Sequence, residues 1–179
     1  MRREDAEAIG RLYDEYVWSV YGFFGYRVRS KAEAEDLTQA TFENVVRSWH
    51  LFDRRRGREG TWLMAVARNI LIDHYRRDRG SSQEPLTEGV AESERVATVD
   101  APALGLSPEL EAALARLTDN QREVIALRFG ADLNGPDIAA VTGLTTANVH
   151  QILSRALRQL RDDLGAAGAE SHLRAETGP

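Results

Sequence analysis

The sequence predicts an all-α chain of two small helical domains joined by a flexible acidic linker. Three observations predict it. Apolar residues recur at helical spacing with no strand-like alternation, helix caps stand where each periodic run begins, and one intermediate stretch has the composition of a tether. That stretch, residues 80–107, holds one arginine (Arg95) against Glu84, Glu88, Glu92, Glu94 and Asp100, among Ser, Gly, Pro and Thr. It divides the 179 residues into a first module (1–79), the linker (80–107), a second module (108–164) and an expected disordered Ala/Gly-rich tail (165–179).

In the first module Leu12, Tyr16, Val20 and Phe24 mark an amphipathic helix, and Leu37, Thr41, Val45 and Trp49 repeat the pattern over 32–51. The run Asp53-Arg-Arg-Arg-Gly-Arg-Glu-Gly60 reads as a turn. Trp62 to Arg77 resumes helical spacing, apolar over more than half its circumference, as in a helix wedged between others. In the second module Ser107-Pro108-Glu109 is a cap with proline in the first turn, and Thr118 and Gln121 have capping-box spacing. Gly130 suits a C-terminal stop. Asn134-Gly-Pro-Asp137 starts a short helix ending near Thr142, Gly143 permits a left-handed turn, and Thr145 caps the final helix. Short helix, glycine turn and longer helix make a helix-turn-helix.

Composition narrows the functions. Forty-two per cent apolar content suits a folded protein. No run approaches a membrane span and the N-terminus lacks a secretory apolar segment, so a cytoplasmic location is expected. Absence of cysteine excludes disulfides, thiolate nucleophiles and Cys-containing zinc sites within the chain. His50, His74, His150 and His172 lie in separate elements without ligand spacing, so no metal and no cofactor is expected. No nucleophile motif or phosphate loop appears, which argues against an enzyme.

Charge is segregated. The net charge is −5, yet residues 47–79 hold nine basic against four acidic side chains. From Ile138 to Arg161 there is no acid at all. On the last helix Val149, Ile152, Leu153, Ala156, Leu157 and Leu160 share one arc, while Asn148, His150, Gln151, Ser154, Arg155, Arg158 and Arg161 occupy the other. Small polar residues near the start with arginines beyond suit a helix in the DNA major groove. Arg54, Arg55, Arg56 and Arg58, beside Trp62, Asn69 and Tyr75, pair cations with aromatics and an amide, a combination suited to single-stranded nucleic acid. A solvated basic loop over core tryptophans is the alternative. Glu35, Asp36, Gln39, Glu43 and Arg47 form a polar stripe on the second helix, read either as a solvated face or as a partner surface.

The ordered segments AEDLTQATFENVVRSW (34–49), GTWLMAVARNILIDHYRR (60–77) and LTDNQREVIALRFGADLNGPDIAAVTGLTTANVHQILSRALRQLR (117–161) resemble regions two and four of an extracytoplasmic-function (ECF) sigma factor. The resemblance implies a bacterial RNA polymerase specificity subunit: a region-two helical bundle that melts the minus-ten element, and a region-four helix-turn-helix that binds the minus-thirty-five element. It implies core polymerase contacts (clamp helices and flap), with Asp36, Gln39 and Glu43 on the clamp. Minus-ten contacts would fall to Arg54, Arg55, Arg56, Arg58, Trp62, Arg68, Asn69, Arg76 and Arg77, with Asn69 lining an extruded-base pocket. Minus-thirty-five contacts would fall to Thr146, Asn148, His150, Gln151, Ser154, Arg155 and Arg158. Partners would be core polymerase and promoter DNA, duplex and melted, with an anti-sigma factor left open and no membrane.

The chain departs from the family pattern in two places. Ala40 stands where the pattern has Glu, and His150-Gln151-Ile152 stands where it often has Lys-Ser-Arg, which shifts the minus-thirty-five grip to Arg155 and Arg158. The 28-residue linker could span up to about 90 Å at ~3.3 Å per residue. The other readings are a helix-turn-helix regulator of duplex DNA that does not bind polymerase, and a helical protein-interaction module.

Overall fold

A computed structural model describes residues 3–55, 57–81 and 105–176. Arg56 and linker residues 82–104 lie outside the described residues. Among those described there are seven α-helices and no strand: α1 (Arg3–Gly25), α2 (Lys31–Ser48), α3 (Glu59–Ser81), α4 (Pro108–Ala115), α5 (Asp119–Ile125), α6 (Gly135–Thr142) and α7 (Thr146–Glu176).

The first module is a three-helix bundle. Ile9, Leu12, Val20, Phe23 and Phe24 of α1 pack with Leu37, Phe42 and Val45 of α2 and with Leu63, Met64, Ala67 and Leu71 of α3. Ser30 caps α2 by accepting from the Glu33 N–H at 3.2 Å, and the Glu33 carboxylate accepts from the Arg29 N–H at 3.1 Å. Together they satisfy two otherwise orphaned donors. Thr38 and Thr41 are buried because their hydroxyls donate to the Ala34 and Leu37 carbonyls one turn back. The loop expected over 53–60 is shorter: α3 already starts at Glu59. Gly60 is packed there so closely that a Cβ would sit 2.7 Å from the Tyr16 ring. α3 also runs on to Ser81, two residues past the expected module end at 79.

The caps expected in the second module are present. Ser107 accepts from Leu110 N, Thr118 and Gln121 form a reciprocal capping box, Asn134 accepts from Asp137 N, and Thr145 accepts from Asn148 N. Gly143 is left-handed at φ 76°, as the turn requires. The Arg122 side chain adds to the C-terminal cap of α4, donating to the Leu114, Ala115 and Leu117 carbonyls. Burial, and then the nearby Arg27 charge, lowers the Arg122 pKa.

Three expectations need correction. Gly130 does end its helix, but through a π-turn (Ala126–Gly130) in which the Ala131 N–H donates to the Ala126 carbonyl. The left-handed residue there is Asp132, at φ 54°. α7 continues through the Gly/Ala stretch to Glu176, where a disordered tail was expected from 165. An already nucleated helix propagates readily through alanines, which outweighs two glycines. Leu157, assigned to the apolar arc of α7, is 39% exposed, because α4, α5 and α6 cover only the Val149, Ala156 and Leu160 side.

The two modules pack on each other. α1 lies against the π-turn and α3 against α6. One continuous buried cluster runs from Leu12, Phe23 and Leu63 to Val124, Leu127, Leu133, Ile138 and Val149. A smaller one joins Leu114, Leu117 and Ile125 to Ala156 and Leu160. At the closest point the backbones of Gly22 and Gly130 meet, and a Cβ on Gly22 would stand 2.3 Å from the Gly130 carbonyl oxygen. Backbone on both sides leaves nothing that can rotate away.

This contact can be tested with two alanines in one helix. Gly10, on the same helix, has nothing within 4 Å of its would-be Cβ. Gly10→Ala is expected to gain up to about 1 kcal/mol of helix propensity. Gly22→Ala gains the same propensity but overpacks the module contact, at about 1–3 kcal/mol or more. Thermal unfolding should therefore rise for the first variant and fall for the second; equal shifts would mean that the glycine contact carries no stability.

Candidate functional site

The final helix presents the expected face. With Val149 buried, residues placed by the ~100° helical step put Gln151, Ser154 and Arg158 on the side away from the core. Asn148, His150, Gln151, Ser154, Arg155 and Arg158 are all exposed, and Thr146 is half-buried in the first turn. Among the described residues Arg155, Arg158 and Arg161 make no ion pair, so their guanidinium groups are free for an anion. The turn at Gly143 sets α6 and α7 against each other, and Ile138 and Val141 of α6 pack into the core beside Val149 of α7.

The basic stretch is less simply solvated than its sequence suggests. Arg68 donates to both carboxylate oxygens of Glu123 in α5, at 2.8 and 3.3 Å. Arg58 donates to Asp137 of α6 at 3.4 Å, and the Thr61 hydroxyl donates to the same carboxylate at 3.3 Å. Both arginines therefore face carboxylates of the second module. Arg27 adds a third cross-module link: it donates to the Asp119 carbonyl at 3.1 Å and lies over the Tyr75 ring. The Tyr75 hydroxyl in turn donates to the Arg27 carbonyl, and burial raises its pKa.

The other members of the stretch make their contacts within the first module. Arg54 pairs with Glu59 at 2.6 Å, Arg76 with Asp73 at 3.6 Å, and the Arg55 backbone N–H is held by Asp53. Arg77 donates to the Asp73 carbonyl at 3.3 Å. Asn69 is exposed on α3. Trp62 packs against Trp49 and Phe52, with ring centroids 6.0 and 5.1 Å away, so it is part of an aromatic cluster that braces the loop. The structure thus brings Trp62, Arg68 and Asn69 onto one helix, while Arg54, Arg55 and Arg58 sit on the loop before it.

On α2, Asp36, Gln39 and Glu43 are exposed, and Gln39 donates to Glu43 at 2.9 Å. Beside them lies a groove that sequence reasoning missed. It runs between α1 and α2, floored by Ile9, Val17 and Phe42 and walled by Tyr13, Trp18 and Val46, with Glu35, Gln39 and Glu43 along the rim. Trp18 is 76% exposed, an unusual position for so large an apolar side chain. The signal was present in the sequence: Tyr13, Val17, Trp18 and Tyr21 carry the apolar surface of α1 round from the Leu12 and Val20 side to its far side.

Among the described residues no helix is long and apolar enough to cross a membrane, and no group of three His, Asp or Glu side chains could hold a metal ion.

Comparison with known proteins accounts for this arrangement. The family description "Sigma-70 region 2" matches residues 12–80, and "Sigma-70, region 4" matches residues 113–162. The chain is 32% identical to the ECF RNA polymerase sigma factor SigX of Bacillus subtilis, over 87% of this chain and 82% of SigX. It is 31% identical to the ECF sigma factor RpoE of Cereibacter sphaeroides, over 89% of this chain and 88% of that protein. The ECF sigma factor BldN of Streptomyces coelicolor is 35% identical over 87% of this chain, which spans 60% of BldN. Two solved structures share the fold. The sigma factor RpoE of Bartonella quintana, in complex with the anti-sigma factor NepR, superposes with TM-score 0.67 at 19% identity, covering 89% of this chain and 98% of that one. CnrH, in complex with the cytosolic domain of CnrY, superposes with TM-score 0.63 at 22% identity, covering 90% of each chain. With both sigma-70 regions in order, and relatives this similar along most of their length, the chain belongs to the ECF sigma factors of bacterial RNA polymerase.

Proposed function

We propose that this chain binds core polymerase through the α1–α2 groove and the Asp36, Gln39 and Glu43 face, and directs it to promoters with two DNA surfaces. α7 grips the minus-thirty-five duplex through Arg155 and Arg158 and reads it through Gln151 and its neighbours. Arg68 and Asn69 of α3, with Arg54, Arg55 and Arg58 of the loop before it, hold the melted minus-ten strand. The groove is the observation that carries this reading over that of a polymerase-independent helix-turn-helix regulator, because such a regulator has no use for an exposed aromatic trough on the module that lacks the recognition helix. The chain acts in the cytoplasm as an initiation factor and catalyses no reaction itself. An anti-sigma protein belongs to the same proposal, since RpoE of Bartonella quintana, which shares this fold, is bound by the anti-sigma factor NepR.

The ion pairs bear on how the minus-ten surface works. Glu123 and Asp137 pair with Arg68 and Arg58, the cations proposed to meet the melted strand. Engaging melted DNA therefore exchanges carboxylates of the second module for phosphates, and the modules must part for it. Arg68, already placed and mostly covered, makes a stronger phosphate contact once the exchange is made.

Three measurements test the proposal. Trp18→Ala with Glu43→Lys should reduce co-elution of the chain with core polymerase at least tenfold while leaving the fold intact by circular dichroism, since both residues are exposed. If the parent chain fails to co-elute, the reading falls. Asn69→Ala should slow promoter opening with little effect on closed-complex binding, because an extruded base is captured only after unstacking. Equal opening rates, followed with a base-unstacking fluorophore, would refute that role. Replacing Arg155 or Arg158 by Ala should weaken holoenzyme binding on all promoters alike and lower the log–log salt slope by about 1 each, whereas Gln151→Ala should relax base preference at about 1–3 kcal/mol. An unchanged slope in the double arginine variant would mean that this face does not grip DNA.

A further inference from the structure

Gly135 opens α6, and the His150 ring of α7 lies against it. A Cβ built on Gly135 would stand 2.6 Å from His150 Nε2 and 3.1 Å from its Cδ2, with the Thr146 methyl next at 3.6 Å. Any residue but glycine would therefore displace the ring. The backbone at Gly135 does not have the positive φ that would itself demand glycine, so the requirement is one of space. What it makes room for is the far end of one side chain on the recognition helix.

The position of that side chain separates it from its neighbours. Taking ~100° per residue from the buried Val149, Arg158 points directly away from the core and Gln151 and Ser154 nearly so, while His150 points sideways toward α6. Among the described residues its ring nitrogens have no hydrogen-bond partner. The carboxylate that faces the region from α6, Asp137, is engaged by Thr61 and Arg58. When a helix-turn-helix docks, its second helix enters the groove and its first crosses the sugar–phosphate backbone. A side chain in the seam between them therefore meets backbone and not base edges.

We propose that Gly135 is a positioning residue for promoter recognition. By having no side chain it keeps the His150 ring in the α6–α7 seam, where an imidazole N–H donates to a phosphate oxygen, and leaves base reading to Gln151 and Ser154. This rests on the reading of α7 as the minus-thirty-five helix. A β-carbon at 135 would push the imidazole outward, beside Ser154 and Gln151, where it adds a donor to the base-reading face and loses the backbone contact. Gly135 thereby sets specificity without touching DNA.

The test uses full-length chain in holoenzyme, with promoters recovered by transcription from a random-sequence duplex library. His150→Ala should lower open-complex formation about 3- to 10-fold, the worth of one hydrogen bond, evenly over all recovered promoters. Gly135→Ala in the parent should lower it by a similar factor and also change preference at one or two minus-thirty-five base pairs. In the His150→Ala background Gly135→Ala should change neither affinity nor preference, because the ring it acts on is gone. A change of preference of the same size in both backgrounds would show that the alanine acts through the helix, and would overturn the proposal. So would a His150→Ala variant that relaxes preference at a single base pair. The double variant has no clash to accommodate, so its melting temperature checks that the fold tolerates alanine at 135. If the parent holoenzyme recovers no common promoter sequence, the minus-thirty-five reading fails and this proposal falls with it. Recovery of promoters with additive variants would sink only the positioning role.

Discussion

Everything in this fold is arranged around the place where Gly22 and Gly130 meet backbone to backbone. Helices normally keep 8–10 Å between axes because side chains hold them apart. Removing both side chains lets α1 and the π-turn approach until Phe23, Phe24 and Leu127 share one core. The π-turn belongs to the same constraint. Its wider winding, with Ala131 donating to Ala126, turns Gly130 toward α1 while α5 keeps Val124 in the large cluster and Ile125 in the smaller one.

The position of the second module on the first then decides which charges meet. α6 lies against the start of α3, and its Asp137 carboxylate, near the positive end of its own helix, reaches Arg58 and Thr61. About two turns further along α3 from Thr61, Glu123 of α5 takes Arg68. The segregation of charge along the sequence therefore becomes complementarity across an interface. The same orientation leaves two surfaces uncovered: the outward side of α7, which has no acid from Thr146 to Arg161, and the trough between α1 and α2. The surface proposed for the minus-ten strand is engaged by the chain's own carboxylates, while the groove proposed for polymerase and the arginines of α7 remain uncovered.

Local chemistry was legible. Ser107, Thr118, Asn134 and Thr145 act within three residues of themselves, so the caps they make follow from order alone. Gly143 is equally local, since its left-handed turn needs only a missing Cβ. The exposed face of α7 followed from helical periodicity, and the position of His150 among polar residues with it. Gly130 shows where this method stops: its place at a helix end was readable, but its reason was not, because the group that excludes a side chain there is the backbone of Gly22, 108 positions earlier. Trp62 shows the same limit. Beside four arginines it looks like a stacking platform, yet its ring packs into a cluster with Trp49 and Phe52.

The sequence by itself determined the helices, most of their ends, the two-module order and the residue types on each polar face, because propensity, capping and periodicity are set by neighbours within a turn or two. Tertiary structure alone decided that the modules share a core, that Arg58 and Arg68 are engaged by Asp137 and Glu123, that Tyr13, Trp18 and Val46 wall a groove, and that the His150 ring rests on Gly135. Each of those depends on two surfaces distant in the chain being brought within a few ångströms. Close packing and charge pairing act at that range, and the order of residues along one strand does not specify which surfaces will come that near.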